Sequence, residues 1–158
     1  MEFGMEEGAM IHVLSERSII QKDQQSHMAD FHMGIYQTMF DQITDKLENI
    51  YNSFCEEPFP VLKLNLYHRD EASRARTVER IKAAGLETAL ALAESTSLEC
   101  SARDRQGRRA KKLCEHLGLP LEQTIAVGDA DNDTMALKTA GLAVAWEMQP
   151  NPSKPWLM

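Results

Sequence analysis

One segment, residues 124–145, restricts the possible folds of this chain more than any other. A short apolar run ends in Gly128-Asp129, and Asn132-Asp133 stand at the start of a helical pattern. A second apolar run closes the segment, so the order is strand, helix, strand, which is typical of a right-handed crossover in a parallel sheet. Polar side chains at a strand tip and in the next helical turn lie where open α/β sheets bind ligands. The segment therefore predicts an α/β fold with a ligand site at this strand end.

The residue types in this segment favour a hard cation as the ligand. Mg²⁺ is held in proteins by one or two carboxylates, with waters and substrate phosphate completing its shell. We expect Gly128 to allow a sharp turn of the backbone. The alternative interpretation makes Asp131 a helix N-cap and Asp129 a polar strand end. A calcium loop is disfavoured, because Thr134 and Ala140 stand where an EF-hand needs glycine and a bidentate glutamate.

The region upstream of the segment predicts an α+β arrangement. Alternating or apolar runs at 61–67, 87–93 and 96–100 are typical of strands. Amphipathic periodicity predicts helices over 72–84 and over 105–117, each followed by glycine. Strand, helix, strand, strand in this order predicts a sheet with helices on one side.

Periodicity in the N-terminal region predicts one long helix. Residues 1–10 are expected to be partly frayed, and 10–20 fit either a strand or a helical turn. From Met28 to about Asn52 the apolar residues recur every three or four positions, which is a helical period. Three prolines in 149–155 argue against regular structure at the other end of the chain.

Bulk properties exclude some classes of function. A net charge of −7 argues against nucleic-acid binding. No apolar run reaches the roughly 18 residues that a membrane span needs. Cys55, Cys100 and Cys114 have no metal-ligand spacing, which predicts a reducing, cytoplasmic location. The basic cluster within 103–112 is interpreted as the solvated face of a helix rather than as an anion site.

The motif in the C-terminal segment resembles that of a known family. Gly-Asp-x-x-Asn-Asp at 128–133, with Ala140-Gly141 after it, resembles the fourth motif of the haloacid dehalogenase (HAD) superfamily, and most of all its Cof-type sugar-phosphate phosphatases. The likeness extends over about 60–145. It implies a partial Rossmann-like core, formed by the C-terminal strand, helix and strand, together with an α+β cap domain. It also implies a Mg²⁺-dependent phosphatase that acts on small phosphorylated metabolites.

The resemblance divides the chain into four parts. The expected parts are an N-terminal segment that is partly disordered or covering (1–27), an α+β cap-like domain (28–101), a core portion with the Gly-Asp-x-x-Asn-Asp motif (102–146) and an irregular tail (147–158).

The resemblance also assigns site residues. Asp129 would bind Mg²⁺, and Asp133 would bind it directly or through water, or would orient a basic partner. Asn132 would hydrogen-bond the phosphate or a metal-bound water. The family's third motif has Lys-Gly where this chain has Gln106 followed by glycine. Arg105 or Arg108 would substitute for that lysine, although a planar guanidinium is not equivalent to a buried ammonium. Arg105 and Gln106 are the candidate phosphate-binding residues there.

The first motif of the family, Asp-x-Asp-Gly-Thr, is absent from the sequence, where Asp-x-Asp occurs only within 129–133. No catalytic nucleophile is therefore identified, and we expect a truncated form that is inactive alone. The alternative is a catalytically dead remnant that serves as a binding or oligomerisation module. Without the nucleophile strand, residues 124–127 would present an unpaired edge. This predicts self-association, or coverage of the edge by residues 10–20.

Overall fold

The computed structural model describes residues 1–102, 105–128 and 133–145, and for 105–108 it describes the backbone only. The chain divides into two compact units, Met1–Arg103 and Asp104–Met158. None of the described helices is long and apolar enough to cross a membrane.

The first unit is built on a six-stranded sheet. Its strands are β1 (Met10–Leu14), β2 (Ser18–Gln21), β3 (Thr44–Leu47), β4 (Lys63–Tyr67), β5 (Thr88–Leu92) and β6 (Ser97–Ala102). Their order across the sheet is β3-β2-β1-β4-β6-β5. All neighbours pair antiparallel except β2 and β3, which are parallel. β1 and β4 are therefore at the centre.

Five helices accompany this sheet, together with two short 3₁₀ helices. The helices are α1 (Glu2–Glu6), α2 (Lys22–Gln25), α3 (Gln37–Ile43), α4 (Ile50–Glu56) and α5 (Glu71–Ala83), and the 3₁₀ helices span Met28–Phe31 and Gly34–Tyr36. Because successive side chains of a strand point to opposite faces, the sheet carries two apolar clusters. One cluster contains Ile11, Val13, Ile50, Leu66, Ile81 and Leu98, and the other contains Met10, Ile20, Met28, Phe31, Met33 and Phe40.

Local signals explain α5. The Asp70 carboxylate accepts a hydrogen bond of 2.7 Å from the Ser73 backbone N–H. This bond caps the start of the helix. Gly85 follows its end with φ +63°, a conformation that glycine adopts without steric cost. The helix and strands β4 to β6 agree with the sequence prediction.

The long helix predicted from Met28 to Asn52 is wrong. The chain turns at His32, which has φ +61°, and Gly34 passes so close to Ala29 that an added Cβ would lie 3.2 Å from the Ala29 Cβ. Thr44–Leu47 then pairs with β2 as a strand. Pairing with a distant segment overrides the local helical period here. Ile35 of the predicted apolar stripe is 85% exposed.

The structure also differs from the predicted division at 1–27. Residues 2–6 form α1, which packs against α5, and 10–14 form a central strand of the sheet. Residues 10–14 and 18–21 are paired within this sheet, β1 with β2 and β4, and β2 with β3. Since β1 pairs on both sides, the N-terminal residues belong to the same unit as 28–101.

The second unit contains a strand–helix–strand arrangement preceded by a helix. Its elements are α6 (Arg105–Leu117), a 3₁₀ turn (Leu121–Gln123), β7 (Ile125–Gly128), α7 (Thr134–Thr139) and β8 (Leu142–Ala145). β7 and β8 are parallel neighbours, as predicted. Cys114 of α6 is buried, whereas Leu113 and Leu117, which lie on the same apolar stripe of the helical pattern, are exposed.

Candidate functional site

The candidate site lies where β7 ends and α7 begins. Gly128 is the last residue of β7, and Asp133 is the N-cap residue of α7. The two residues are in close contact. A Cβ added to Gly128 would lie 2.8 Å from both Cγ and Oδ2 of Asp133, and closer still to its Cβ. The Asp133 carboxylate therefore lies directly over the Gly128 backbone, at the carboxyl end of the strand.

The reason for glycine at position 128 differs from the expectation. A sharp turn would require a positive φ in the left-handed region of backbone conformations, which only glycine adopts freely. Gly128 does not adopt a φ in that region, whereas Gly118, in the loop before β7, does, at +65°. Position 128 instead needs space, because any Cβ there would displace the Asp133 side chain.

A second close approach fixes β8 beside β7. The Gly141 N–H donates to the Leu121 carbonyl at 2.9 Å, and the Leu142 N–H donates to the Thr124 carbonyl at 2.9 Å. A Cβ on Gly141 would lie 2.6 Å from the Glu122 Cα. Gly141 is therefore required for the loop before β7 to pack against the start of β8, which holds the strand pair in register. This accounts physically for the glycine that follows α7 in the motif.

The other predicted site residues lie wholly or partly outside the described residues. Asp129 and Asn132 fall between the described ranges, and Arg105 and Gln106 are in the first turn of α6 with their side chains not described. Their assigned roles remain predictions. Within the described residues, no group of three or more histidine, cysteine or acidic side chains is arranged to hold a metal ion.

The described part of the site fits the ion that the family resemblance implies. Mg²⁺ takes oxygen ligands and is commonly held by one or two carboxylates. The Asp133 carboxylate supplies such oxygens, and the absence of a side chain at Gly128 leaves room for this carboxylate at the strand end. Asp129, the other predicted ligand, directly follows Gly128 in the sequence.

Sequence reasoning missed a second group of polar residues, in the first unit. His12 on β1 is directly paired with Asn65 on β4, and both are buried. Burial lowers the pKa of His12 to about 4 and raises that of Tyr67 to about 12. In the sequence, Asn65 reads as an ordinary solvent-facing position of an alternating strand. No sequence signal marks this pair, because only the register of β1 against β4 brings the two residues together.

Comparison with known proteins identifies the family. The model of the haloacid dehalogenase-like hydrolases matches residues 5–150. A phosphoglycolate phosphatase of Methanopyrus kandleri is 44% identical over 45 residues, which are 28% of this chain and 19% of that protein.

Solved structures show the same fold. A haloacid dehalogenase-like hydrolase from B. subtilis superposes with a TM-score of 0.69 at 19% identity, over 91% of this chain and 57% of that one. A HAD subclass IIB sugar phosphatase gives 0.68 at 16% identity, over 91% and 51%. The chain thus spans about half the length of these two structures, and at such identities the likeness concerns the fold alone.

Proposed function

This chain belongs to the haloacid dehalogenase-like hydrolases, and we propose that it provides the Mg²⁺- and phosphate-binding part of a phosphatase for small phosphorylated metabolites. The observation that carries the proposal is the Asp133 carboxylate seated over Gly128 at the end of β7. The phosphatases among its relatives support the reaction class.

Each candidate residue has a distinct role in this proposal. Asp133 and Asp129 hold Mg²⁺ through carboxylate oxygens, and Asn132 hydrogen-bonds a phosphate oxygen. Arg105 and Gln106, in the first turn of α6, bind the phosphate from a second side. When bound, Mg²⁺ spreads the negative charge of the phosphoryl group and orients it for attack.

The proposal does not include a nucleophile within these 158 residues. The family resemblance implies an aspartate in Asp-x-Asp-Gly-Thr that attacks phosphorus, and the sequence contains no such motif. We therefore expect the chain by itself to bind Mg²⁺ without hydrolysing p-nitrophenyl phosphate. We also assign it to the reducing cytoplasm, where its cysteines, free in the described structure, would remain thiols.

Mg²⁺ titration followed by isothermal calorimetry tests the site. The parent chain should bind one ion, and Asp133→Asn and Asp129→Asn should each weaken binding about tenfold or more, because a neutral amide replaces an anionic ligand. The matched control is Glu115→Gln, which removes one exposed negative charge from α6 in the same unit. Unchanged affinity in Asp133→Asn, or equal loss in the control, would contradict the proposal.

A second function, self-association, is favoured by the apolar face of the β7–β8 pair. Ile125 and Val127 of β7 are opposite Leu142 and Val144 of β8, and paired residues of parallel strands share a face. Ile125 and Val127 are 66% and 67% exposed, and their two partners are exposed as well. Such a face, on strands whose outer edges pair with no described strand, favours association with a second copy of this chain.

A further inference from the structure

We propose that the first unit holds a binding pocket for a small, mostly apolar molecule that carries one hydrogen-bond donor group, a hydroxyl or an ammonium, and no negative charge. The pocket has a volume of about 310 Å³, at the lower end of the range for small-molecule sites. It lies between one face of the central strands and the segment that contains α3. Its walls include His12, Asn65 and Tyr67 from the sheet and Tyr36, Met39 and Phe40 from that segment.

An unsatisfied amide supplies the polar contact. Asn65 is only 8% exposed, and its Oδ1 is buried without a hydrogen-bond partner. Its Nδ2 lies 3.3 Å from the Tyr67 hydroxyl and 3.5 Å from His12 Nδ1. With His12 Nε2 donating to the Ser18 hydroxyl at 2.8 Å, His12 Nδ1 can accept from the amide nitrogen, and Oδ1 is the end of the amide that lacks a partner. A buried polar atom without a partner costs about 1–3 kcal/mol, so a donor group on a ligand gains by pairing with this amide.

The charge of the pocket excludes a phosphorylated ligand. Glu94 and Glu99 line it, and no lysine or arginine is among its described lining residues. His12 is neutral at pH 7, since burial lowers its pKa to about 4. The nearby Lys63 ammonium is engaged by the Glu99 carboxylate at 2.6 Å. An anion would meet two carboxylates and no cationic side chain among the described lining residues, so this site is separate in chemistry from the proposed phosphate site.

The walls suit a flat ring. The His12 ring meets the Phe40 ring edge-on at 4.9 Å between centroids and is nearly parallel to the Tyr67 ring at 6.4 Å. Aromatic faces gain most from ligands that are themselves flat and apolar. A single ring with one short donor arm therefore matches the size, the walls and the unpaired amide.

Calorimetric titration of the full chain with three probes tests the proposal. Benzyl alcohol and benzylamine should each bind at one site, and phenyl phosphate should bind at least about tenfold more weakly, because it would place a charge beside Glu94 and Glu99. The ratio between the first two probes shows whether the hydroxyl or the ammonium is preferred. No binding of either donor probe, or phenyl phosphate binding as tightly as benzyl alcohol, would overturn the proposal.

Variants locate the binding. Asn65→Leu should weaken benzyl alcohol about tenfold by removing the amide, which corresponds to one good hydrogen bond. Ala93→Trp places a large side chain at an exposed position that lines the pocket and should abolish binding, whereas Ala84→Trp, exposed after α5, should leave it unchanged. Circular dichroism confirms folding of each variant. Equal behaviour of the two tryptophan variants would contradict the location. Asp133→Asn should bind benzyl alcohol normally, which keeps this test independent of the proposed metal site.

Discussion

The His68 imidazole and the Thr77 hydroxyl lie 2.9 Å apart, between Nε2 and Oγ1, and both residues are completely buried. The other ring nitrogen, Nδ1, is 3.2 Å from the Thr96 carbonyl oxygen. Because a carbonyl can only accept, Nδ1 carries the proton and Nε2 accepts from Thr77. The neutral ring thereby ties the residue after β4 to the middle of α5.

Removing the Thr77 hydroxyl should destabilise the first unit. Thr77→Val keeps the size of the side chain and leaves His68 Nε2 buried without a partner, so we expect the free energy of unfolding to fall by about 1–3 kcal/mol. Urea denaturation followed by circular dichroism measures it. Thr77→Ser, which retains the hydroxyl, is the control and should lose less. Equal loss in both variants would contradict the prediction, because removing the methyl group would then cost as much as removing the hydroxyl.

Adding a methyl group at Gly128 should weaken Mg²⁺ binding. In Gly128→Ala the new Cβ overlaps the Asp133 side chain, so that side chain must move. We expect the Mg²⁺ affinity to be about tenfold or more lower in calorimetry. Gly85→Ala is the control, since an added Cβ there meets no atom within 4 Å. Its positive φ makes this control less stable by about 1–2 kcal/mol, without touching the site. Gly128→Ala with the parent's Mg²⁺ affinity would show that the close contact has no bearing on the metal.

Buried His12 should make the first unit less stable in acid. Its pKa is about 4 in the folded chain, against about 6.5 when unfolded, so the unfolded chain binds the proton first as the pH falls. The contribution of neutral His12 to the free energy of unfolding is fully present above pH 6.5. It is lost as the pH falls toward 4, which lowers the free energy of unfolding by about 3 kcal/mol.

Denaturation at several pH values measures this slope. His12→Gln, which cannot titrate, should flatten it, and His27→Gln, at an exposed position, should not. Some slope should remain in His12→Gln, since burial also lowers the pKa of His68. An unchanged slope in His12→Gln would contradict the assignment to His12.

Self-association should depend on the exposed face of β7 and β8. Sedimentation velocity of the parent chain should show a dimer or larger species, and Val127→Lys should shift it to monomer, because a charge cannot be buried on that face without a partner. Leu119→Lys, at an exposed apolar position of the same unit outside the strands, should leave the association intact. A monomeric parent chain would refute this second function.

Local signals predicted the elements that depend on local causes. Gly85 follows the predicted helix over 72–84 as it follows α5, and β8 is the second apolar run of the 124–145 segment. The helix predicted from Met28 to Asn52 was wrong because part of this segment pairs with a strand that is distant in the sequence. Thr44–Leu47 lies within the apolar pattern of helical period, yet it pairs with β2 as the outer strand of the sheet.

For the candidate site, the sequence indicated which residues to examine but not the reason for each. Gly128 was expected to turn the chain, and it instead makes room for a carboxylate five residues later. Such a contact is between side chain and backbone across a loop, and no periodicity encodes it. The polar pair of His12 and Asn65 was likewise invisible, because only the register of β1 against β4 brings the two together.

The two outermost strands of the six-stranded sheet differ in what they offer to another molecule. β3 carries Asp45, which is paired with Arg17 at 3.0 Å, and also Lys46. Such charges discourage a further strand from adding. β5, with the sequence Thr-Ala-Leu-Ala-Leu, carries none. Aggregation of heated or concentrated samples should therefore begin at β5, and a lysine introduced there is the first change to make when a preparation precipitates.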